Sequence, residues 1–194
     1  QSVTATFNLL PEVFPGNCAF PAGFSTPAGS TAGWSVATDR KRSGSCSMKS
    51  DPIPNAATGG AANATKSRIQ ATGNFNAGTV SFYYNVSSET GYDCLRFIVD
   101  NVERAEMGAC NGPSGNGGSG ASGDVSTWTQ VSVPVNAGAH TFIWSYEKDN
   151  SVIDGADAAW IDDVVLPSVA SPGTLQFTAA TASAAESAGS VMVA

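Results

Sequence analysis

Three stretches of the chain alternate apolar and polar side chains one by one, and this pattern constrains the fold more than any other feature. They are residues 79–86, 95–99 and 139–146. Because successive side chains of a β-strand point to opposite faces, each stretch predicts a strand with one face on a core and one toward solvent. The predicted core faces consist of Val80, Phe82, Tyr84 and Val86, then Leu95, Phe97 and Val99, then His140, Phe142, Trp144 and Tyr146.

Weaker strand candidates and turn-forming triplets fill the rest of the chain. The triplets Asn76-Ala77-Gly78 and Asn136-Ala137-Gly138 stand directly before two of the predicted strands. Many short strands separated by Gly, Pro and Asn turns predict an all-β fold, an antiparallel two-sheet jelly-roll β-sandwich. The weaker candidates are residues 4–10, 33–37, 45–49, 65–72, 127–133 and 159–166.

The turn residues also divide the chain into segments. We predict the sandwich over residues 1–167, a linker over residues 168–173 and a new patterned segment over residues 174–194. Residues 111–126 are rich in Gly and Ser, which predicts a long mobile loop within the sandwich.

Composition excludes several classes of protein. The 194 residues are 42% hydrophobic, enough to form a core, and no stretch approaches the roughly 18 apolar residues of a membrane span. The formal net charge of −7 argues against nucleic acid as a partner, because phosphate binding needs clustered Lys and Arg. We therefore expect no nucleic-acid binding and no membrane insertion.

The four cysteines predict disulfides rather than zinc ligands, since no C-x-x-C pair occurs. Cys94 and Cys110 flank a predicted hairpin and would face each other across it, which leaves Cys18 to pair with Cys46. Two disulfides would place the chain in an oxidising, extracellular compartment. The alternative is four free thiols in a cytosolic protein.

No catalytic template fits the sequence. Nucleophilic schemes need a base, and His140, the one histidine, shares a predicted core face with aromatic residues. Residues 115–120 match G-x-G-x-x-G, but they lack the flanking strand and helix that phosphate binding requires. We therefore predict that the chain is not an enzyme.

Carboxylates are the strongest candidates for site chemistry. Five Asp and one Glu fall within residues 147–163, and two more carboxylates lie in the connection 87–93. Three interpretations compete: an acid/base pair as in glycoside hydrolysis, structural Ca²⁺ held by loop oxygens, or solvated acidic loops. The candidate metal ligands are Glu89, Asp93, Asp149, Asp154, Asp157, Asp162 and Asp163.

The tryptophans allow a second kind of site. An exposed tryptophan can stack on a sugar ring, but in alternating strands a core position is more frequent for each one. The candidates are Trp34, Trp128, Trp144 and Trp160.

Three blocks together resemble a known family. They are residues 87–100 (SSETGYDCLRFIVD), 137–149 (AGAHTFIWSYEKD) and 157–164 (DAAWIDDV). In combination they are similar to the jelly-roll modules of secreted bacterial surface proteins and proteases, such as gingipain cleaved-adhesin domains, and distantly to MAM domains. Such modules commonly take an early calcium ligand from a Phe-Glu pair, which Asn8 or Glu12 would have to replace here. The resemblance implies attachment of a larger secreted protein to cells, matrix or substrate.

A second resemblance concerns the end of the chain. Residues 173–177 (GTLQF) and 186–191 (ESAGSV) look like the opening strands of a Calx-beta repeat. An incomplete repeat leaves unpaired strand edges, so we expect the parent protein to continue or residues 174–194 to complete a sheet on a neighbour.

The leading hypothesis is thus a non-catalytic, extracellular or cell-surface module for adhesion or ligand binding, with Ca²⁺ as a structural cofactor. Its partner would be a protein or a glycan on a cell or matrix surface, which the sequence does not identify. The alternatives are a filament subunit that self-associates through residues 174–194, or a carbohydrate-binding module.

Overall fold

A computed structural model describes residues 18–53, 65–112, 117–149 and 152–170. The described residues form ten strands in two antiparallel sheets and one 3₁₀ turn, Ala105–Met107. The predicted jelly-roll β-sandwich is confirmed. The strands are β1 (Phe24–Ser25), β2 (Trp34–Ala37), β3 (Ser47–Ser50), β4 (Thr65–Phe75), β5 (Gly78–Ser87), β6 (Cys94–Val99), β7 (Val102–Glu103), β8 (Thr129–Val135), β9 (Gly138–Lys148) and β10 (Ala158–Val165).

The first sheet has the order β1-β4-β9-β6-β7 and the second β2-β3-β10-β5-β8. The long pair β4 and β9 runs in unbroken register from Thr65 opposite Lys148 to Phe75 opposite Gly138. In the second sheet β10 lies between β3 and β5, so the strand carrying the DAAWIDDV block is central. This arrangement sets the ends of β5 and β9 and the starts of β6 and β10 near one another.

Ten of the eleven residues on the predicted core faces lie in the core, and His140 is the exception, partly exposed at its margin. Phe82 from the second sheet contacts Phe97 and Trp144 from the first, with ring centroids 4.9 and 5.5 Å apart. Such aromatic pairs contribute about 0.5–1.5 kcal/mol each beyond the area they bury. Three of the four tryptophans, Trp34, Trp144 and Trp160, are buried.

Two disulfides connect Cys18 with Cys46 and Cys94 with Cys110, the pairs that the spacing favoured. The first fastens the start of the described chain to the connection between β2 and β3. The second fastens the start of β6 to the segment that follows β7.

The segment before β8 differs from the mobile loop that its composition predicted. Leu95 and Ala121 exchange backbone hydrogen bonds of 2.8 Å, and Val125 N donates to Val86 O at 2.8 Å. Arg96 also donates to the carbonyl oxygen of Ser119 at 2.9 Å. Residues 117–126 are therefore attached to both sheets, because their backbone groups find partners on β5 and β6.

At the other end of the sandwich, residues 168–170 pair with the end of β4. Asn76 N donates to Ser168 O at 2.9 Å and Ala170 N donates to Asn74 O at 2.8 Å. Several sequence predictions fall outside the described residues: the strand at 4–10, a calcium ligand at Asn8 or Glu12, and the Calx-beta-like segment 174–194.

Candidate metal centre and sheet-face cleft

Three of the seven predicted metal ligands meet at one end of the sandwich. Glu89 and Asp93 belong to the loop between β5 and β6, and Asp149 follows β9 directly. One carboxylate oxygen from each residue lies within 4.8 Å of the other two. The loop closes on itself because Asp93 N donates to Glu89 O at 3.2 Å and Ser88 Oγ donates to Asp93 O at 2.8 Å. We call Glu89, Asp93 and Asp149 the acidic cluster.

The acidic cluster contains buried carboxylate oxygens without hydrogen-bond partners. These are Glu89 Oε2 and Asp93 Oδ2, and the Asp93 side chain is 0% exposed. Lys148 Nζ stands 3.7 Å from Asp93 Oδ2, an ion-pair distance but not a hydrogen bond. Burying an ionised oxygen without a partner is costly, so these atoms fit the donor set of a hard divalent cation.

The pKa values of Asp93 and Glu89 reflect the same crowding. Burial raises the pKa of Asp93 to about 7, although the hydrogen bond from Asp149 N and the charge of Lys148 act in the opposite direction. The pKa of Glu89 is also raised, first by burial and then by the nearby charges of Asp149 and Asp154. A cation between the carboxylates would remove the cost of keeping them ionised.

Asp157 lies next to the acidic cluster but has partners of its own. The ammonium group of Lys148, which is fully buried, donates to one oxygen of Asp157. Tyr146 Oη donates to the other at 2.9 Å. Asp157 therefore neutralises the Lys148 charge beside the cluster.

The structure does not bring Asp162 and Asp163 to the acidic cluster. Asp162 Oδ2 accepts from the backbone nitrogens of Arg42 and Ser43 at 2.7 and 3.2 Å. Asp163 accepts from the Arg42 guanidinium and the Ser43 hydroxyl. Both carboxylates hold the connection between β2 and β3 against the outer face of the second sheet.

This connection forms one wall of an open cleft of about 530 Å³ on the outer face of the second sheet. The opposite wall comes from the segment just before β8, and β5 provides the floor. We call it the sheet-face cleft. Its lining residues are Asp39, Arg40, Lys41, Asn85, Asp124, Ser126 and Trp128.

Contacts within the sheet-face cleft fix several of these side chains. Arg40 donates to Asn85 Oδ1 at 2.6 Å, and its guanidinium carbon lies 4.4 Å above the ring of buried Trp160. Asn85 Nδ2 donates to Val125 O at 2.6 Å. Asp39 accepts from Trp160 Nε1 at 3.0 Å and from Lys49 Nζ at 2.7 Å. The side chains of Asp39, Arg40 and Asn85 are therefore held in place by contacts within the protein.

Reasoning from the sequence missed the sheet-face cleft. The charged run at residues 39–42 is visible in the sequence, but no local signal shows that it folds back onto Asn85 and Trp160. Trp128 was a candidate, and it is the one tryptophan of the four that keeps part of its surface exposed.

His140 packs against the core as predicted but lies at its margin, with its side chain 14% exposed. Its ring stacks on Phe142 with centroids 5.8 Å apart, Nδ1 lies 2.7 Å from Asp100 Oδ2, and Nε2 lies 2.9 Å from Asn136 O. The hydrogen bond with Asp100, followed by that with the Asn136 carbonyl, raises the pKa of His140.

Among the described residues, no helix has the length and apolar character needed to cross a membrane. Comparison of the sequence with family models and with curated proteins finds no match.

Solved structures similar to this chain include adhesin and carbohydrate-binding modules. The K2 cleaved adhesin domain of Lys-gingipain is 18% identical, with a TM-score of 0.45 over 74% of this chain and 89% of that one. The CBM22-1 xylan-binding domain from Paenibacillus barcinonensis Xyn10C is 14% identical, with a TM-score of 0.38 over 76% and 88%. The secreted serine protease VesC from Vibrio cholerae is 13% identical, with a TM-score of 0.48 over 76% of this chain. This chain spans 25% of the VesC chain. At such identities these likenesses assign no function.

Proposed function

We propose that the chain is a non-catalytic extracellular module that attaches a larger secreted or cell-surface protein to a protein or glycan. The observation that carries this proposal is the sheet-face cleft, where polar groups from three parts of the chain line one open surface and those of Asp39, Arg40 and Asn85 are fixed by hydrogen bonds. Binding sites of this kind gain affinity because side chains that are already ordered lose little conformational freedom when a ligand binds.

The two disulfides support the extracellular location. Structural disulfides persist in oxidising compartments and are rare in the cytosol. Each of these disulfides fastens a connection that borders a candidate site: Cys18–Cys46 the connection between β2 and β3, and Cys94–Cys110 the start of β6. The two disulfides would preserve the geometry of both candidate sites outside the cell.

Ca²⁺ is the cofactor that we propose for the acidic cluster, held by Glu89, Asp93 and Asp149 with Asp154 nearby. When bound, it would supply the positive charge that the buried carboxylates lack. Asp149 N already orients Asp93 through a hydrogen bond of 2.9 Å, and Lys148 stays neutralised by Asp157. The cofactor's role would be structural, because it would join the loop after β5 to the end of β9.

A bead-retention assay tests the binding function. Beads coated with the chain would be washed over surfaces of collagen, fibronectin, mucin, cellulose and xylan. The variant Asp124→Lys changes an exposed carboxylate in the sheet-face cleft, and Glu106→Lys is the charge-matched control at an exposed site elsewhere. We expect retention on at least one surface, at least tenfold lower with Asp124→Lys and unchanged with Glu106→Lys. Retention on none of the surfaces, or equal retention of the two variants, would contradict the proposal.

A further inference from the structure

We infer that the sheet-face cleft binds an uncharged oligosaccharide, with one sugar ring against Trp128 and its hydroxyls on Arg40 and Asp124. This inference rests on the proposed function and names the class of ligand for that site. The charge balance, the geometry and the partly exposed aromatic surface of the cleft support it.

The formal charges that line the sheet-face cleft cancel. Arg40 and Lys41 contribute two positive charges, and Asp39 and Asp124 contribute two negative ones. A site for an acidic polymer needs an excess of cations, and a site for a basic peptide needs an excess of anions. Lys49 pairs with Asp39 from outside the lining and adds a single positive charge, which is no strong excess of either sign, so the charge balance favours an uncharged ligand.

The polar groups suit hydroxyls in particular. Arg40 Nη2 and Asp124 Oδ1 are 3.8 Å apart, too far for a direct hydrogen bond. A sugar hydroxyl both accepts and donates, so it can accept from the guanidinium and donate to the carboxylate at the same time. The Asp124 side chain is 72% exposed, so a ligand that enters the cleft can contact its carboxylate.

Below this pair the cleft is rigid. Asn85 is only 3% exposed, and both polar atoms of its amide are engaged, one by Arg40 and one by Val125 O. Arg40 is further held by its stacking on Trp160. A fixed floor lets the cleft choose among sugars by the positions of their hydroxyls.

Trp128 supplies the apolar wall. It is the partly exposed member of four tryptophans whose other members are buried. The flat faces of pyranose rings carry C–H groups, which pack against an aromatic ring. The cleft volume of about 530 Å³ lies within the usual range for small-molecule sites, and its lining joins one aromatic wall with polar groups.

Isothermal titration calorimetry tests the inference with a panel of defined hexasaccharides. The uncharged probes are cellohexaose, xylohexaose, mannohexaose and maltohexaose, and the acidic probe is hexagalacturonate. We expect at least one uncharged probe to bind more tightly than hexagalacturonate. Its affinity should fall at least tenfold with Trp128→Ala and about fivefold with Asp124→Asn. Phe20→Ala, which removes an exposed aromatic ring outside the cleft, should leave the affinity unchanged.

Three results would overturn the inference: preference for hexagalacturonate, affinity unaffected by both cleft variants, or no binding of any hexasaccharide. If no hexasaccharide binds while coated beads are still retained on a protein surface through Asp124, the ligand class is wrong and the proposed function stands. If neither assay detects binding, both fail. Asp124→Asn keeps the test decisive if Trp128→Ala does not fold, because the Asp124 side chain is mostly exposed.

Discussion

The backbone nitrogen of Asp149 donates a 2.9 Å hydrogen bond to Oδ1 of Asp93, so the end of β9 is joined directly to the loop that leads into β6. The other oxygen of that carboxylate, Asp93 Oδ2, is buried and has no hydrogen-bond partner. It also gathers three carboxylates where two connections meet.

Calcium should therefore stabilise the chain through the acidic cluster. At a free Ca²⁺ concentration 100 times the dissociation constant, binding adds about 2.7 kcal/mol to the free energy of unfolding. For a chain of this size, that corresponds to roughly 5–10 °C in melting temperature. Asp93→Asn should abolish this increase and, in chelator, melt at or above the wild type, because it removes a buried charge. Differential scanning calorimetry with and without Ca²⁺ measures both effects. An equal calcium response in wild type and variant would exclude the cluster as the site.

The stability of the fold should fall as the pH rises from acidic to alkaline, in part because of His140. Its pKa is raised by Asp100 and by the Asn136 carbonyl, so its charged form stabilises the fold. That contribution is fully present below the ordinary pKa of about 6.5 and is lost as the pH rises through the raised value.

The variant His140→Gln should lose this part of the pH dependence of the melting temperature, and Asp100→Asn should lose most of it. Comparison of melting curves from about pH 6 to about pH 9 would measure the difference. A histidine pKa at or below its ordinary value, measured by NMR titration, would disprove the explanation.

Glu147 balances a buried cation on the outer face of the first sheet. Its carboxylate accepts from Arg96 Nε at 3.2 Å and lies 2.9 Å from Lys66 Nζ, and the Arg96 side chain is 4% exposed. Burial alone would raise the pKa of Glu147, but these contacts lower it below its usual range.

Glu147→Gln should destabilise the chain by about 1.5–3 kcal/mol, because the buried guanidinium of Arg96 loses one of its two carboxylate partners and keeps Glu103 at 3.0 Å. The control Glu106→Gln at an exposed ion pair should change stability by less than about 0.5 kcal/mol. Urea unfolding curves of the two variants provide the comparison. Similar midpoints would show that the network around Arg96 does not depend on Glu147.

The acidic cluster and the sheet-face cleft share one segment of backbone. Gly91 N donates to Ser122 Oγ at 2.9 Å, and Ser88 N donates to Gly123 O at 3.2 Å. Asp124, which follows, bridges to Ser87 and lines the cleft. A cation that orders the loop at Glu89 and Asp93 should therefore also order one wall of the cleft.

Chelation should weaken retention of coated beads, and Ser122→Ala should reduce that dependence on calcium. A hydrogen bond contributes about 1 kcal/mol, and losing it changes an equilibrium constant about fivefold. We therefore expect Ser122→Ala to reduce the effect of chelation on retention by about that factor. Ser132→Ala, on the exposed face of β8, is the matched control and should behave like the wild type. Calcium dependence that is identical in both variants would show that the two sites act independently.

Much of the fold could be predicted from the sequence because strand alternation is local. The stretch 139–146 predicted the face that Phe142 and Trp144 bury, and the candidate at 65–72 became β4. That strand extends to Phe75 because its backbone pairs with Gly138 across the sheet. Strand ends depend on such partners, which the sequence of one strand does not contain.

The functional sites were harder to predict from the sequence than the strands. All seven carboxylates were candidate ligands, yet only Glu89, Asp93 and Asp149 converge. Asp162 instead binds the backbone of Arg42, which is 120 residues away in the chain. Contacts over such separations depend on the order of strands in the two sheets, and no local pattern reports that order.

The central claim is that this chain is a binding module whose ligand occupies the sheet-face cleft. The most direct measurement is an NMR titration of the ¹⁵N-labelled chain with whichever surface component retains the beads, followed through amide and indole shifts. We predict that the shifted signals cluster at residues 39–41, at Asn85 and at residues 124–128, including the Trp128 indole. Shifts confined to other faces, such as the β7 edge, or no shifts at saturating ligand, would contradict the claim.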